Sequence, residues 1–380
     1  MDESSSADCP TDHCVQDTQL FDLVFQRIQE NPSRSISFSD YMEMVLYHPE
    51  FGYYTCPERR RIGRRGDFYT SVSVGETFGF LLAQQLKVDW ELLERPDPFV
   101  VVEQGAHDGQ LAHDILKSLD ELLGLPMSSS LQYRIVEPKD SARRWLGQSW
   151  ASDENPRRIQ VVESIEAAHA TSGVFLCNEL LDAFPVDRLR YENESWRQWR
   201  VGECEGKLGW VAGDAYDAQQ LPAELLEDHF ETGYTTEICL AAGGWMREVS
   251  TLFETGIWRV IDYGHESHDY YAPHRKRGTL RCYRDHEATE DPFKSLGNVD
   301  ITAHVNFTQL REAAEAAGLS EKRLTDQHHF LIEAARPWLL SLEGEPPSPE
   351  LAQRIRQFQT LTHPSIMGQQ FKVAEYVRGI

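Results

Sequence analysis

Basic residues are scarce in this 380-residue chain: 37 Lys and Arg stand against 61 Asp and Glu, for a formal charge of −24. A phosphate backbone is gripped by a basic stripe, so this balance argues against a nucleic-acid partner. An acidic surface suits either a cationic protein substrate or plain solubility. Cysteines are few and scattered. The seven (Cys9, Cys14, Cys56, Cys177, Cys204, Cys239 and Cys282) make an odd set with no CxxC pair, which argues against a zinc site or a secreted disulfide frame. His265, His268 and His274, like His328 and His329, lie near one another without HExxH-type spacing, so no metal is expected. No apolar run reaches membrane-spanning length, and MDESSSADCP carries neither the basic and apolar regions of a secretory signal nor a transit peptide's Arg-rich pattern. The expected location is the cytoplasm, without membrane insertion. Internal repeats are absent, and the one linker-like run, EGEPPSPE, is short and late in the chain, so it separates no independent domain.

What is present is an alternation. LFDLVFQRIQE and SFSDYMEMVLYHP carry apolar residues at helical spacing, the second behind a Ser cap at Ser37 or Ser39. A Gly-, Arg- and aromatic-rich stretch, FGYYTCPERRRIGRRGDFYTS, then leads into the amphipathic ETFGFLLAQQLKVDWELL. The dense basic run Arg59, Arg60, Arg61, Arg64 and Arg65 within that stretch reads as a solvated loop. From Pro98 short β-branched runs alternate with helical ones: FVVVEQ, LAHDILKSLDELL, LQYRIVEP, SARRWLGQSW, RIQVVES, GVFLCNELL. This is the βαβ rhythm of a parallel sheet. RLRYENESWRQWRV reads as a hairpin turning at Glu192 to Ser195. WMREVSTLFETG reads as a helix ended by Gly256, and Asp300 as the cap of the helix through VNFTQL. The resulting expectation is one decorated α/β domain. It has a disordered tail over 1–17, a helical extension with a cofactor-covering loop over 18–95, and a core over 96–380 with a hairpin and helical insertion at about 190–250. With 41% hydrophobic residues, such a core can be filled.

The loop VVEQGAHDGQL, Val101 to Leu111, sits where the first core strand passes into a helix. In a doubly wound sheet that is the turn whose backbone approaches a ligand. Gly105 and Gly109 alone make a weak signal, compatible with a tight turn holding nothing. Two acids sharpen it. Glu103 ends the strand where a dinucleotide would place its pyrophosphate, and a carboxylate there suits a cationic amino group instead. Glu137 ends the next strand, 28 residues after Gly109, and can accept ribose hydroxyls. Adenosine carrying an amino-acid head describes S-adenosyl-L-methionine better than NAD. Glu163, with Ser164 beside it, ends the following strand and can reach an adenine amino group, or be a solvated loop carboxylate.

Ordered blocks carry a wider resemblance: YHPEFGYY, GDFYTS, the glycine loop, NELLDAFPVDR, IDYG, RGTLRCYRDH and DITAHVNF. Together they resemble the MidA-type S-adenosylmethionine-dependent methyltransferases, whose mitochondrial member is a complex I assembly factor that dimethylates a protein arginine. The likeness runs from about Phe38 to the C-terminus, and without a mitochondrial address the chain reads as a bacterial member. It implies a class I, Rossmann-like fold with a seven-stranded, mostly parallel sheet. It also implies S-adenosyl-L-methionine as cofactor, and a protein partner, possibly respiratory, methylated on arginine. Homo-oligomerisation is left open. His107 stands where the family has its middle glycine, and Val72 where it has proline. His tolerates positive φ, and at this position can cover the methionine moiety.

On this reading Gly105, Ala106, His107 and Gly109 hold the cofactor with Glu103, Glu137, Glu163, Ser164 and Asn178. In GDFYTS, Phe68 offers a stacking or cation–π face, and Thr70 and Ser71 offer hydroxyls; core filling is the alternative for Phe68. NELLDAF supplies Glu179 and Asp182 three residues apart, and resembles the glutamate loop of symmetric protein-arginine methyltransferases. Carboxylates there can fix a guanidinium fork; the alternative is that Asp182 caps a helix and Glu179 is solvated. His304 is a candidate base or substrate contact, or a structural histidine. Asp262 of IDYG ends a strand on the same side, where it serves the site or caps a turn. The rival functions are an assembly chaperone that kept the fold and lost transfer, and an NAD-dependent oxidoreductase, which wants GxGxxG and no acid at Glu103.

Overall fold

The computed structural model describes residues 12–55, 70–123, 130–149, 159–227, 230–284 and 287–380. Phe68 and the Arg59–Arg65 run lie outside the described residues. The chain forms two compact units, where the sequence suggests one decorated domain. The larger comprises Ile62–Phe184, Cys239–Ala272 and His304–Ile380; the smaller comprises Met1–Arg61, Pro185–Ile238 and Pro273–Ala303.

The larger unit is built on strands β1 (Phe99–Gln104), β2 (Leu131–Val136), β3 (Ile159–Val162), β4 (Ala170–Asn178), β5 (Phe253–His265), β6 (Ser320–Asp326) and β7 (Phe371–Arg378). They lie in the order β3-β2-β1-β4-β5-β7-β6, and a two-residue strand, Val305–Asn306, runs beside the end of β5 as an eighth. β3 through β5 are mutually parallel; β7 is antiparallel to both its neighbours. Its longer helices are α1 (Thr77–Leu92), α2 (Gln110–Leu123), α3 (Asp140–Ser149), α4 (Ala241–Val249), α5 (Phe307–Ala316), α6 (Gln327–Ser341) and α7 (Pro349–Thr362). FVVVEQ is a near-continuous apolar run because both faces of β1 are covered. Val101 packs with Leu81, Ile115 and Phe330 on one side, and Val100 and Val102 share a cluster with Trp245, Met246 and Leu310 on the other. The chain steps from β1 to β2 in one direction and later returns to β4 on the opposite side. That reversal opens the crevice beyond the carboxyl ends of β1 and β4, where ligands of such sheets bind.

The smaller unit carries helices Asp12–Glu30 and Phe38–Tyr47, an antiparallel five-stranded sheet, and a three-stranded sheet of Arg281–Arg284, Glu287–Thr289 and Asp300–Thr302. Its hairpin joins Asp187–Glu192 to Ser195–Cys204 through Asn193 and Glu194 at φ of 50° and 60°, the left-handed pair that a two-residue turn requires. Its aromatic core packs Phe38 at a tilt against Trp210 (centroids 4.8 Å apart) and Trp210 edge-to-face with Phe293 (5.1 Å).

Several local expectations need correction. The first helix starts at Asp12, inside the stretch read as a disordered tail. Gly256 ends no helix; it lies within β5, where a Cβ would meet the Phe253 ring and the Gly173 carbonyl at 2.8 Å. Helix α5 is capped by Asn306, whose Oδ1 accepts from Thr308 N and Gln309 N at 3.1 and 3.2 Å. Asp300 instead lies in a strand and accepts from Tyr54 Oη at 2.6 Å. Of the two candidate serines, Ser37 is the cap, accepting from Asp40 N.

Candidate active site at the carboxyl edge of the sheet

The glycine loop leaves β1 with Gly105 at φ 84°, His107 at 48° and Gly109 at 78°. Three left-handed residues in five coil the backbone tightly, closed by Gly109 N donating to Ala106 O at 2.7 Å. A side chain at Gly105 would press on Leu180 Cδ1 at 3.1 Å, so glycine serves both the turn and the approach of the chain after β4. His107 holds its positive φ with its ring turned to Asp108, Nδ1 to Oδ1 3.7 Å. Asp108 in turn accepts from Gln110 N at 3.1 Å and starts α2. Burial works to raise the Asp108 carboxyl, but its contacts with His107 and the backbone amides win and hold it below the usual range.

Glu103 is 3% exposed, and Tyr133 donates to its Oε2 at 2.6 Å. Burial pushes its pKa up to about 7 against the pull of that bond, with the charge of Asp108 adding to the rise. One of its oxygens thus accepts from Tyr133, while the carboxylate as a whole keeps further acceptor capacity. Tyr133, absent from the sequence reading, is legible only once β1 and β2 are known to be neighbours. Glu137 follows β2; its Oε1 accepts from Lys139 N at 2.9 Å, which orients the carboxylate at the strand end. Glu163 is exposed, and Ser164 Oγ accepts from Ala167 N at 3.1 Å, so its hydroxyl serves a local turn.

The end of β4 has the strongest geometry. Asn178 Nδ2 donates to Glu179 Oε1 at 3.0 Å, and Ser71 N donates to the same oxygen at 3.1 Å. Glu179 has φ 51°, an uncommon conformation for a non-glycine residue that costs on the order of 1 kcal/mol and collects at functional sites. Thr70 caps the short helix Ser71–Val74 through a reciprocal box with Ser73. Ser71 itself is fully buried, and its Oγ donates to Gln327 Oε1 at 3.1 Å. The hydroxyl expected to face a cofactor thus ties the segment to α6, and the amide reaches the glutamate. Asp182 is buried beside this turn. Its backbone N–H, with those of Leu180 and Leu181, points at Asp262. His304 lies on the neighbouring rim, its ring 5.2 Å from that of His265 and 6.3 Å from that of Tyr263. Among the described residues no group of three His, Cys, Asp or Glu is placed to hold a metal, and no helix is long and apolar enough to cross a membrane.

These parts fit an adenosine linked to an amino acid. The left-handed glycines let backbone come close, Glu137 stands one strand over from the loop, and Asn178 Oδ1 is buried with no hydrogen-bond partner among the described residues. A buried amide oxygen left unmatched at a crevice costs free energy that a ligand donor would recover.

Comparison with known proteins agrees. The profile of a family described as S-adenosyl-L-methionine-dependent methyltransferases matches residues 81–325. The zebrafish (Danio rerio) mitochondrial protein arginine methyltransferase NDUFAF7 is 28% identical over 363 residues, covering 89% of this chain and 82% of that protein. The human protein of that name is 27% identical, covering 88% and 78%. A solved structure from Burkholderia thailandensis with S-adenosyl-homocysteine bound superposes with a TM-score of 0.86 at 30% identity, over 99% of this chain and 96% of that one. The nicotinamide alternative finds no support in any of these. The chain thus has a Rossmann-like methyltransferase fold that uses S-adenosyl-L-methionine, and it belongs to the family of S-adenosyl-L-methionine-dependent methyltransferases.

Proposed function

We propose that this methyltransferase acts on an arginine side chain of a protein partner. The observation that carries the reading is the Glu179 carboxylate, anchored through one oxygen by Ser71 N and Asn178 Nδ2 at the carboxyl end of β4. A carboxylate fixed in this way can receive a guanidinium, whose planar fork matches two carboxylate oxygens. The relatives named as protein arginine methyltransferases support the same substrate class. S-adenosyl-L-methionine, when bound, supplies an electrophilic methyl group. The residues of the chain do the rest by placement. Gly105 to Gly109 and Glu137 would hold the cofactor, and Glu179 would draw positive charge away from the attacking nitrogen while aligning it. Arginine's pKa lies above about 12, so alignment and charge localisation serve better than outright deprotonation before attack.

The test is transfer of labelled methyl from S-adenosyl-L-methionine into proteins of a source-organism lysate, followed by mass-spectrometric assignment of the modified residue. Label on arginine in one protein, lost in Glu179→Ala with S-adenosyl-homocysteine affinity retained, is the expected result. Label on lysine or on a small molecule would overturn the substrate assignment.

A further inference from the structure

We propose that Asp262 is a positioning residue for methyl transfer, one that fixes the carboxylate of Glu179 by holding the turn that follows it. Asp262 lies near the end of β5 and is fully buried. Its Oδ2 accepts from three successive amides, Leu180 N at 3.2 Å, Leu181 N at 2.9 Å and Asp182 N at 3.3 Å, and its Oδ1 accepts from Tyr263 N at 2.8 Å. One residue earlier, Ile261 O accepts from Glu179 N at 2.9 Å. Three consecutive N–H groups converging on one point form an anion cradle of the kind that usually receives a ligand. Here the protein fills the cradle with its own carboxylate. The effect is to clamp the chain on both sides of Glu179, the residue held at φ 51°. Among the described residues Asp262 forms no ion pair, so the amides alone meet its charge.

Asparagine cannot replace this arrangement. If its carbonyl oxygen faces the three amides, its NH2 confronts Tyr263 N–H; turned over, the NH2 confronts all three. Alanine leaves the four amides without an acceptor. The inference rests on the proposed role of Glu179, and the experiment separates the two. Transfer from labelled S-adenosyl-L-methionine into source-organism lysate, at saturating cofactor, would be measured for Asp262→Asn, Glu179→Gln and the double variant. S-adenosyl-homocysteine calorimetry and amide exchange at 180–182 would run alongside.

Transfer by Asp262→Asn is expected to fall about tenfold, with the double variant no slower than Glu179→Gln, since residues acting as one unit are not additive. Exchange at 180–182 should quicken, while S-adenosyl-homocysteine binding stays within about threefold of wild type. Unchanged transfer by Asp262→Asn, with Glu179→Gln inactive, would sink the role of Asp262 and leave that of Glu179 standing. Losses that multiply in the double variant, or cofactor affinity falling in step with transfer, would reduce Asp262 to a general structural residue. Full transfer by Glu179→Gln would reject the Glu179 reading itself.

Discussion

Two buried charges three residues apart in β5 are handled in opposite ways. Arg259 is fully buried and meets fully buried carboxylates: its Nε donates to Glu375 Oε1 at 2.8 Å, and its guanidinium donates to Asp89 Oδ2 at 2.7 Å. Arg323 Nε donates to the other oxygen of Glu375. Burial alone would raise Glu375, but Arg259, Arg323 and Lys322 pull it down to about 2. Asp262, equally buried, has amides around it in place of cations, and burial carries its pKa up to about 7 in spite of them. Opposite charges make a pair that is indifferent to pH near neutrality and costly to break. Oriented amides hold a carboxylate less firmly but in a defined direction. The middle of the strand uses the first device for the core, and its carboxyl end uses the second beside the active site.

The largest way to break that contrast is Arg259→Met. It leaves Asp89 and Glu375 buried without their shared counter-ion, and removing one partner of a buried pair costs roughly 3–5 kcal/mol. Denaturant unfolding should show a loss of that size, whereas Asp262→Asn should cost less while affecting transfer more.

A second effect follows from pH. Glu103 has an ordinary pKa of 4.5 and a folded one of about 7, so between those values the unfolded state gives up its proton first. Stability is then full below pH 4.5 and falls as pH rises toward 7, by about 3 kcal/mol if the whole shift is expressed. Asp262 adds in the same direction. Glu103→Gln, which keeps an acceptor for Tyr133, should flatten part of the slope in thermal melts between pH 5 and 8. An unchanged slope would mean that Glu103 ionises normally in the folded protein.

Glu137→Ala comes next: calorimetry should show S-adenosyl-homocysteine bound about tenfold more weakly, roughly 1.4 kcal/mol, with little change in melting temperature. The smallest effect runs the other way. Glu179→Gly relieves a positive φ and should raise stability by up to about 1 kcal/mol while abolishing transfer. A destabilised Glu179→Gly would show that the side-chain bonds to Ser71 and Asn178 outweigh the backbone strain.

Much of the larger unit was legible in the sequence. FVVVEQ, LQYRIV and GVFLCN announce buried parallel strands, and the acids Glu103, Glu137 and Glu179 mark their carboxyl ends. Features set by distant residues were not. Gly256 looks like a helix stop because nothing local reveals the Phe253 ring and the Gly173 carbonyl that demand glycine inside a strand. Asp262 reads as one more strand-end acid, since its amide partners lie 80 to 82 residues earlier. Asp300 and Asn306 both precede α5, and only the register of Asp300 with Tyr283 shows that the first belongs to a strand. The leading helices and the hairpin of the smaller unit are legible, but not that they form one unit, because it is assembled from three separated segments.

The place of β7 bears on how the chain is made. β5 leaves the ribosome well before β7, yet β7 is the strand that covers its edge, supplies Glu375 to Arg259 and separates it from β6. Until β7 arrives, the growing chain carries a long apolar strand with one side unpaired and an arginine short of a counter-ion, the kind of edge that invites aggregation. The edge of β5 is therefore covered only once β7 has been made, and yield during expression should depend on shielding β5 over that interval.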